Sequence, residues 1–356
     1  MDIKATTKTS AILEKALRAK ELTKNEILHL FRTNNTMDLY SIFSTAQLIR
    51  ENSFGNTVFP CGFVYLSTYC RNFCTFCYYR KSNDKCPRYR KTPEEVLKYA
   101  KQLEKSGVHL IDLTLGEDPY YTMNFNRLID LVKTIKNETG LPIMVSPGVV
   151  SKDMLHELVK AGMDWYALYQ ETHNRELFAK LRIGQSFEAR ITAKQQAKEE
   201  GALIEEGILI GIGETDRDRV DSIIAMKEIG AQQTREMGFQ PQPGTPMEDW
   251  LSPPLLDEMK YIALMRITNQ DKLIPASYDC DGTKGLQLRL MAGANVVTSL
   301  IPPDSGLKGV AHAELNVDAG LRTVNSIEPY IKKIGLTYAS RKRYVEYIDD
   351  YKKMLP

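Results

Sequence analysis

The sequence predicts an α/β protein built as a (β/α)8 TIM barrel, with an N-terminal helical cap and C-terminal helices that close it. From Val58 onward short apolar runs alternate with amphipathic stretches, and about eight such runs can be counted. The segment before them, Ser10 to Glu51, has helical spacing instead. The length of 356 residues is more than one ordinary domain needs, yet it suits a single barrel with extensions.

In the N-terminal segment Ile12, Leu13, Ala16 and Leu17 share a stripe, and Ile27, Leu28 and Phe31 continue it beyond Thr23. The first strand is expected over Gly62 to Ser67. A helix follows over Thr92 to Ser106, with Thr92 placed to cap it, Pro93 at its first position and Glu95 completing a capping box. Strand Leu110 to Leu115, helix Asn124 to Asn137 and strand Ile143 to Ser146 come next. Further strands are expected at Trp165 to Tyr169, Ile204 to Ile210, Arg235 to Phe239, Leu273 to Ser277 and Ala294 to Ser299. Roughly the last 50 residues read as closing helices. The expected organisation is a helical extension over 1–54, a barrel over 55–335 and a C-terminal helical extension over 336–356 packed on the barrel. An open doubly wound sheet is the alternative.

Hydrophobic residues make up 43% and charged residues 26%, which excludes collagen-like, disordered and disulfide-scaffold classes. Lys and Arg number 47 against 45 Asp and Glu, so no global basic field favours nucleic acid or anionic lipid. No apolar run is long enough to span a bilayer, and Met1 to Ser10 lacks a signal-peptide core. A cytoplasmic protein acting on a small molecule is expected, with no nucleic-acid or membrane partner.

Three of the six cysteines crowd into Cys70-Arg71-Asn72-Phe73-Cys74-Thr75-Phe76-Cys77, just after the first strand. No second cysteine or histidine pair follows within reach, which disfavours zinc. Three thiolates on one loop suit a [4Fe-4S] cluster whose fourth iron has no protein ligand and stays open to a small molecule. Cys61, Cys86 and Cys280 are scattered and are expected to be small packed residues. His29, His109, His156, His173 and His312 show no metal-pair spacing.

The cysteine spacing, with aromatic Phe76 before the last thiol, resembles the radical S-adenosylmethionine superfamily. The resemblance implies that Cys70, Cys74 and Cys77 hold the cluster, that its open iron binds S-adenosyl-L-methionine, and that an unidentified low-potential donor supplies one electron. Leu113 to Pro119 resembles the family's Gly-Gly-Glu-Pro-like segment but departs from it at Leu115 and Asp118, which leaves Glu117 as a turn residue near the cofactor. A solvated loop acid is the alternative for Glu117. Tyr169, Glu171, Arg182 and Arg190 fall in segments that hold the ribose and methionine ends of the cofactor in related enzymes, with Glu171 toward a hydroxyl or ammonium and Arg182 toward the carboxylate. Gly207 to Glu214 lacks phosphate-loop spacing. It resembles a fifth-strand segment whose glycines admit adenine.

Strand alternation puts Asp112 and Thr114 on the inner face, and Ser277 and Asp279 share a face at the end of the seventh strand. Together with Arg235 they complement a ligand with two cations and one carboxylate, the pattern of a diamino acid. Arg235 would take the carboxylate, Asp279 with Ser277 the α-ammonium, and Asp112 the distal ammonium. An internal Arg–Asp ion pair with no ligand is the alternative. Further segments, among them Gln242-Pro243-Gly244-Thr245-Pro246 and Leu290 to Asn295, are similar to the methylornithine synthases of pyrrolysine biosynthesis. That resemblance implies isomerisation of L-lysine to (3R)-3-methyl-D-ornithine, with Asp112, Arg235, Ser277 and Asp279 at the substrate. Two alternatives stand beside it: a sulfur-inserting or hydrogenase-maturing enzyme of the same superfamily, and a non-enzymatic iron-sulfur electron carrier.

Overall fold

The computed structural model describes residues 5–279, 281–303, 305–307, 309 and 322–356. Residues 1–4, Cys280, Asp304 and His312 lie outside the described residues. The N-terminal segment is three helices rather than one run: α1 (Thr7–Leu17), α2 (Lys24–Arg32) and α3 (Thr36–Phe54). Each begins where a side chain, of Thr6, Thr23 or Asn35, accepts an otherwise orphaned backbone N–H, so capping chemistry divides the stripe.

The barrel elements follow as β1 (Thr57–Ser67), α4 (Pro93–Ser106), β2 (Leu110–Leu115), α5 (Pro119–Thr122), α6 (Asn126–Thr139), β3 (Ile143–Ser146), α7 (Lys152–Lys160) and β4 (Trp165–Ala167). Then come α8 (Arg175–Leu181), α9 (Phe187–Glu199), β5 (Leu203–Ile210), α10 (Asp216–Ile229), β6 (Gln233–Gly238), α11 (Leu255–Thr268), β7 (Pro275–Ser277), α12 (Gly282–Met291) and β8 (Val296–Leu300). The chain ends with α13 (Val324–Lys333), β9 (Thr337–Tyr338) and α14 (Arg341–Lys352). The capping box expected at α4 is present: the Glu95 N–H donates to Thr92 Oγ1 at 3.3 Å, and the Thr92 N–H donates to Glu95 Oε2 at 2.8 Å.

Strands β1 to β8 pair in parallel in the order β6-β5-β4-β3-β2-β1-β8-β7. Outer strands β6 and β7 meet through a one-residue bridge, where the Leu273 N–H donates to Gln232 O at 3.0 Å and the Thr234 N–H donates to Leu273 O at 2.9 Å. The result is the expected eight-stranded barrel, nearly closed, with its ring joined at the amino ends of those two strands. Strand β4 is shorter than the Trp165-to-Tyr169 run because the chain turns away after Ala167, reaching a left-handed φ of +67° at Glu171.

β9 pairs with the start of β1, and α14 packs beneath it. There the Tyr344 ring lies 5.4 Å from Phe59 and 5.9 Å from His109, so buried aromatic side chains form a floor at the amino end of the barrel. Among the described residues no helix is long and apolar enough to cross a membrane.

Candidate functional site

β1 carries a continuous apolar run because both of its faces are covered, and it delivers the cysteine loop at its carboxyl end. The loop is tied down on two sides: the Arg71 N–H donates to Glu117 O at 3.0 Å after β2, and the Thr75 N–H donates to Leu181 O at 2.8 Å at the end of α8. Cys70, Cys74 and Cys77 all line one cavity at the carboxyl ends of the strands. The lining of that cavity runs from the thiol loop down to Asp112 and Arg235 on the inner strands, so its two ends offer different chemistry. Cys61 and Cys86 are free and buried, and neither lines it.

The thiols fit an iron-sulfur group. The three thiols sit on one loop and line one cavity, and such a cluster takes one thiolate per iron. In the bare chain burial pushes Cys70 up to about 11 and Cys77 well above the usual thiol range, so loading the site would expel protons. Several buried polar atoms nearby also lack a partner, including Glu171 Oε2, Arg182 Nε and Arg235 Nη2. Orphans of that kind are uncommon in a finished core and common where a ligand completes the pairing.

Beside the thiols stands a group of charges from the β4 and α8 turns. Arg182 Nη2 donates to Glu171 Oε1 at 2.7 Å and to Tyr169 O at 3.1 Å. Its guanidinium carbon lies 5.5 Å from the Phe76 ring. Arg190 donates to Tyr169 O through Nε at 3.1 Å and approaches Glu117 Oε1 at 3.6 Å. The left-handed φ of Glu171, unusual for a residue with a Cβ, lets its N–H reach Gly207 O at 3.0 Å while its side chain meets Arg182. Burial raises its pKa against the opposing pull of Arg182.

Glu117 is not a solvated loop acid: it is buried and accepts from Arg71 Nε at 3.0 Å. The inserted Asp118 has a structural task, accepting from Ser67 Oγ at 2.6 Å and from Arg90 at 2.7 and 2.9 Å. In Gly207 to Gly213 two glycines meet close packing, and Gly211 and Gly213 take left-handed φ values of +84° and +99°. A Cβ on Gly207 would lie 2.9 Å from the Tyr169 ring and one on Gly211 2.8 Å from Pro253, and none of these glycines lines the cavity.

Deeper in the barrel Asp112, Arg235, Ser277 and Asp279 do come together on the cavity wall. Two of them, however, already have charged partners that the sequence did not disclose. Arg235 Nε donates to Glu205 Oε1 at 2.8 Å, so the internal partner of Arg235 is a Glu of β5 and not one of the two inward Asp residues. Glu205 also accepts from Gln233 Nε2 at 2.7 Å and from the Tyr169 hydroxyl at 2.7 Å, so Tyr169 turns its hydroxyl toward this network. Arg235 Nη2 stays unpartnered. Asp279 accepts from Arg322 Nη1 at 2.5 Å and from Ser299 Oγ at 2.8 Å, while the Asp279 N–H donates to Ser277 Oγ at 3.2 Å. Asp112 accepts from Thr114 Oγ1 at 2.9 Å, and burial, with repulsion from Glu205, pushes it up to about 8.

Sequence reasoning also missed Glu236, Glu258 and Arg289 on the β6 side of the cavity. Arg289 Nη2 donates to Glu258 Oε2 at 2.6 Å, while both Glu236 carboxyl oxygens lack a hydrogen-bond partner. Burial and the neighbouring Glu258 push Glu236 well up.

Residues 64–224 match the family model of the Radical SAM superfamily. The chain is 41% identical to the 3-methylornithine synthase of Methanosarcina barkeri, across 91% of this chain and 92% of that protein. It is 33% identical to the [FeFe] hydrogenase maturase subunit HydE of Thermotoga maritima, across 80% and 82%. The crystal structure of methylornithine synthase (PylB) superposes with a TM-score of 0.90 at 40% identity, covering 94% of this chain and 99% of that one. A thiol-lined barrel mouth above a set of inward charges thus accompanies close kinship along nearly the whole length, and the chain belongs to the radical SAM superfamily and, within it, to the 3-methylornithine synthase family.

Proposed function

We propose that the protein is a radical S-adenosylmethionine mutase that converts L-lysine to (3R)-3-methyl-D-ornithine, the first step of pyrrolysine biosynthesis. The observation that carries the reading is the set Asp112, Arg235, Ser277 and Asp279 on one cavity wall below three thiols, the charge complement of a diamino acid. Cys70, Cys74 and Cys77 would be the three protein ligands of a [4Fe-4S] cluster with one iron left open. With S-adenosyl-L-methionine and one electron from a low-potential donor, that group supplies a 5′-deoxyadenosyl radical able to take a side-chain hydrogen.

The chain's own part is binding, orientation and exclusion of water. Arg182 Nε and Glu171 Oε2, both unpartnered, are available to the carboxylate and to an ammonium or hydroxyl of the cofactor. Arg190 shares the Tyr169 carbonyl with Arg182 and faces Glu117, Phe76 lies against the Arg182 guanidinium, and Tyr169 joins the cofactor side to Glu205. Arg235 would offer Nη2 to the lysine carboxylate, held in aim by Glu205. Asp279 and Ser277 would receive the α-ammonium, with Arg322 sharing the Asp279 carboxylate. Asp112, largely neutral in the bare chain at pH 7, would give up its proton as the distal ammonium arrives. Anchoring at three points keeps the carbon skeleton together while it fragments and recombines.

The test is anaerobic. Protein reconstituted with iron and sulfide is reduced and given S-adenosyl-L-methionine with L-lysine, and the amino-acid products are separated and weighed by mass spectrometry. A new compound of lysine's mass, lost when Cys70, Cys74 or Cys77 is replaced by Ala, is expected. Formation of 5′-deoxyadenosine with lysine unchanged would leave the radical chemistry standing and remove lysine as the substrate.

A further inference from the structure

We propose that Gln185 is a positioning residue that raises the reduction potential of the cluster by donating its side-chain amide to the Cys74 sulfur. The inference rests on the reading that Cys74 carries an iron. Gln185 lies between α8 and α9, and its Nε2 stands 3.0 Å from Cys74 Sγ. Which end of a glutamine amide faces a partner is usually a matter of assignment. Here chemistry fixes it. Arg182 Nη1 at 3.2 Å and Arg190 Nη1 at 3.3 Å both donate to Gln185 Oε1, and a guanidinium has donors only, so the carbonyl must face the arginines and the NH2 must face the sulfur.

The donor is held in place from both directions. The Gln185 N–H donates to Arg182 O at 3.0 Å, and the cysteine loop is pinned to the same stretch of chain through Thr75 and Leu181. Two cations on the carbonyl polarise the amide and strengthen its N–H donors. Cys74 also lies within 3.7 Å of Arg182 Nη1, whereas Cys70 takes a backbone donor, the Asn72 N–H at 3.4 Å. The side-chain donors therefore gather on Cys74.

A hydrogen bond to a ligating sulfur favours whichever cluster state carries more negative charge, and the reduced state carries one more electron. Removing the donor should therefore lower the potential of the one-electron couple. In Gln185→Leu the ratio of reduced to oxidised cluster at a fixed applied potential should fall about tenfold, a shift of about 59 mV. Gln185→Glu keeps an acceptor for both arginines but sets an anionic oxygen against the sulfur, so its potential should fall further still.

The experiment is a mediated dithionite titration of reconstituted protein, without S-adenosylmethionine or lysine, followed by EPR of the reduced cluster. Potentials in the order wild type, Leu variant, Glu variant are expected, and equal potentials in all three would overturn the proposal. Pulsed EPR of the unaltered protein carrying isotopically labelled glutamine amide nitrogen needs no variant. A coupling between that nitrogen and the cluster is expected, and its absence would also overturn the proposal. Iron and sulfide analysis of Cys74→Ala separates the premise: an intact four-iron cluster in that variant would dismiss Cys74 as a ligand whatever the behaviour of Gln185.

Discussion

Lysine binding should release a proton, and Asp112 should be its source. Buried beside Glu205, the Asp112 carboxyl is pushed up to about 8, so it is mostly protonated at neutral pH. An ammonium placed against it favours the ionised form. If the folded pKa is about 8 and the complex is fully ionised, binding at pH 7 expels roughly 0.9 proton from this group. The sign follows directly: the proton must leave before the cation can pair, so affinity for lysine should rise about tenfold per unit between pH 6 and 7 and level off above pH 8. Isothermal calorimetry of oxidised holoprotein in buffers of different ionisation enthalpy measures the proton count. Glu236 and Glu258 line the same cavity and are also raised, so the decisive comparison is Asp112→Asn. That variant should lose the release, flatten the pH dependence and weaken binding of lysine far more than that of an analogue with an uncharged side chain. Proton release unchanged in Asp112→Asn, or equal loss of affinity for both ligands, would refute the reasoning.

Glu205→Gln removes the charged partner of buried Arg235, so a loss of about 3–5 kcal/mol in unfolding free energy is expected by thermal or denaturant melting, with a raised KM for lysine as Arg235 loses its aim. Gly116→Ala would place a Cβ 2.4 Å from Tyr69 O and 2.7 Å from Cys70 Cβ, so iron content after reconstitution should fall while far-UV circular dichroism stays unchanged. Lys194→Met strands the fully buried Glu206 without its cation and should cost about 3–5 kcal/mol, seen as a lower melting temperature, although Lys194 does not line the cavity.

The inward face of β2 was readable because alternation along a strand is a local rule, and Asp112 followed from it. The cysteine loop was readable because its three thiols are neighbours in sequence. What pairs with a buried charge was not readable, since Glu205 with Arg235 and Arg322 with Asp279 join different elements and no spacing announces them. A signal did exist. Glu205 and Glu206 sit side by side in an otherwise apolar strand, and neighbouring strand residues face opposite ways, so each acid had to find its own cation. One faces inward to Arg235 and the other outward to Lys194 of α9. Gly207 and Gly211 were less readable for the converse reason: a missing side chain shows that something comes close without showing what, and in this fold Tyr169 and Pro253 come close.

The aromatic floor under the barrel has a consequence for traffic. With the Tyr344, Phe59 and His109 rings packed edge-on and tilted at the amino end, the mouth that the described residues leave for a molecule bound at Asp112 is on the side of the thiols. On the proposed function, lysine at Asp112 and Arg235 is expected to enter before the cofactor and to leave after it, an order that product-inhibition kinetics would check. The vessel would then load and empty as a stack, with the ligand at the level of Cys74 and Arg182 as the stopper for the one at Asp112 and Arg235.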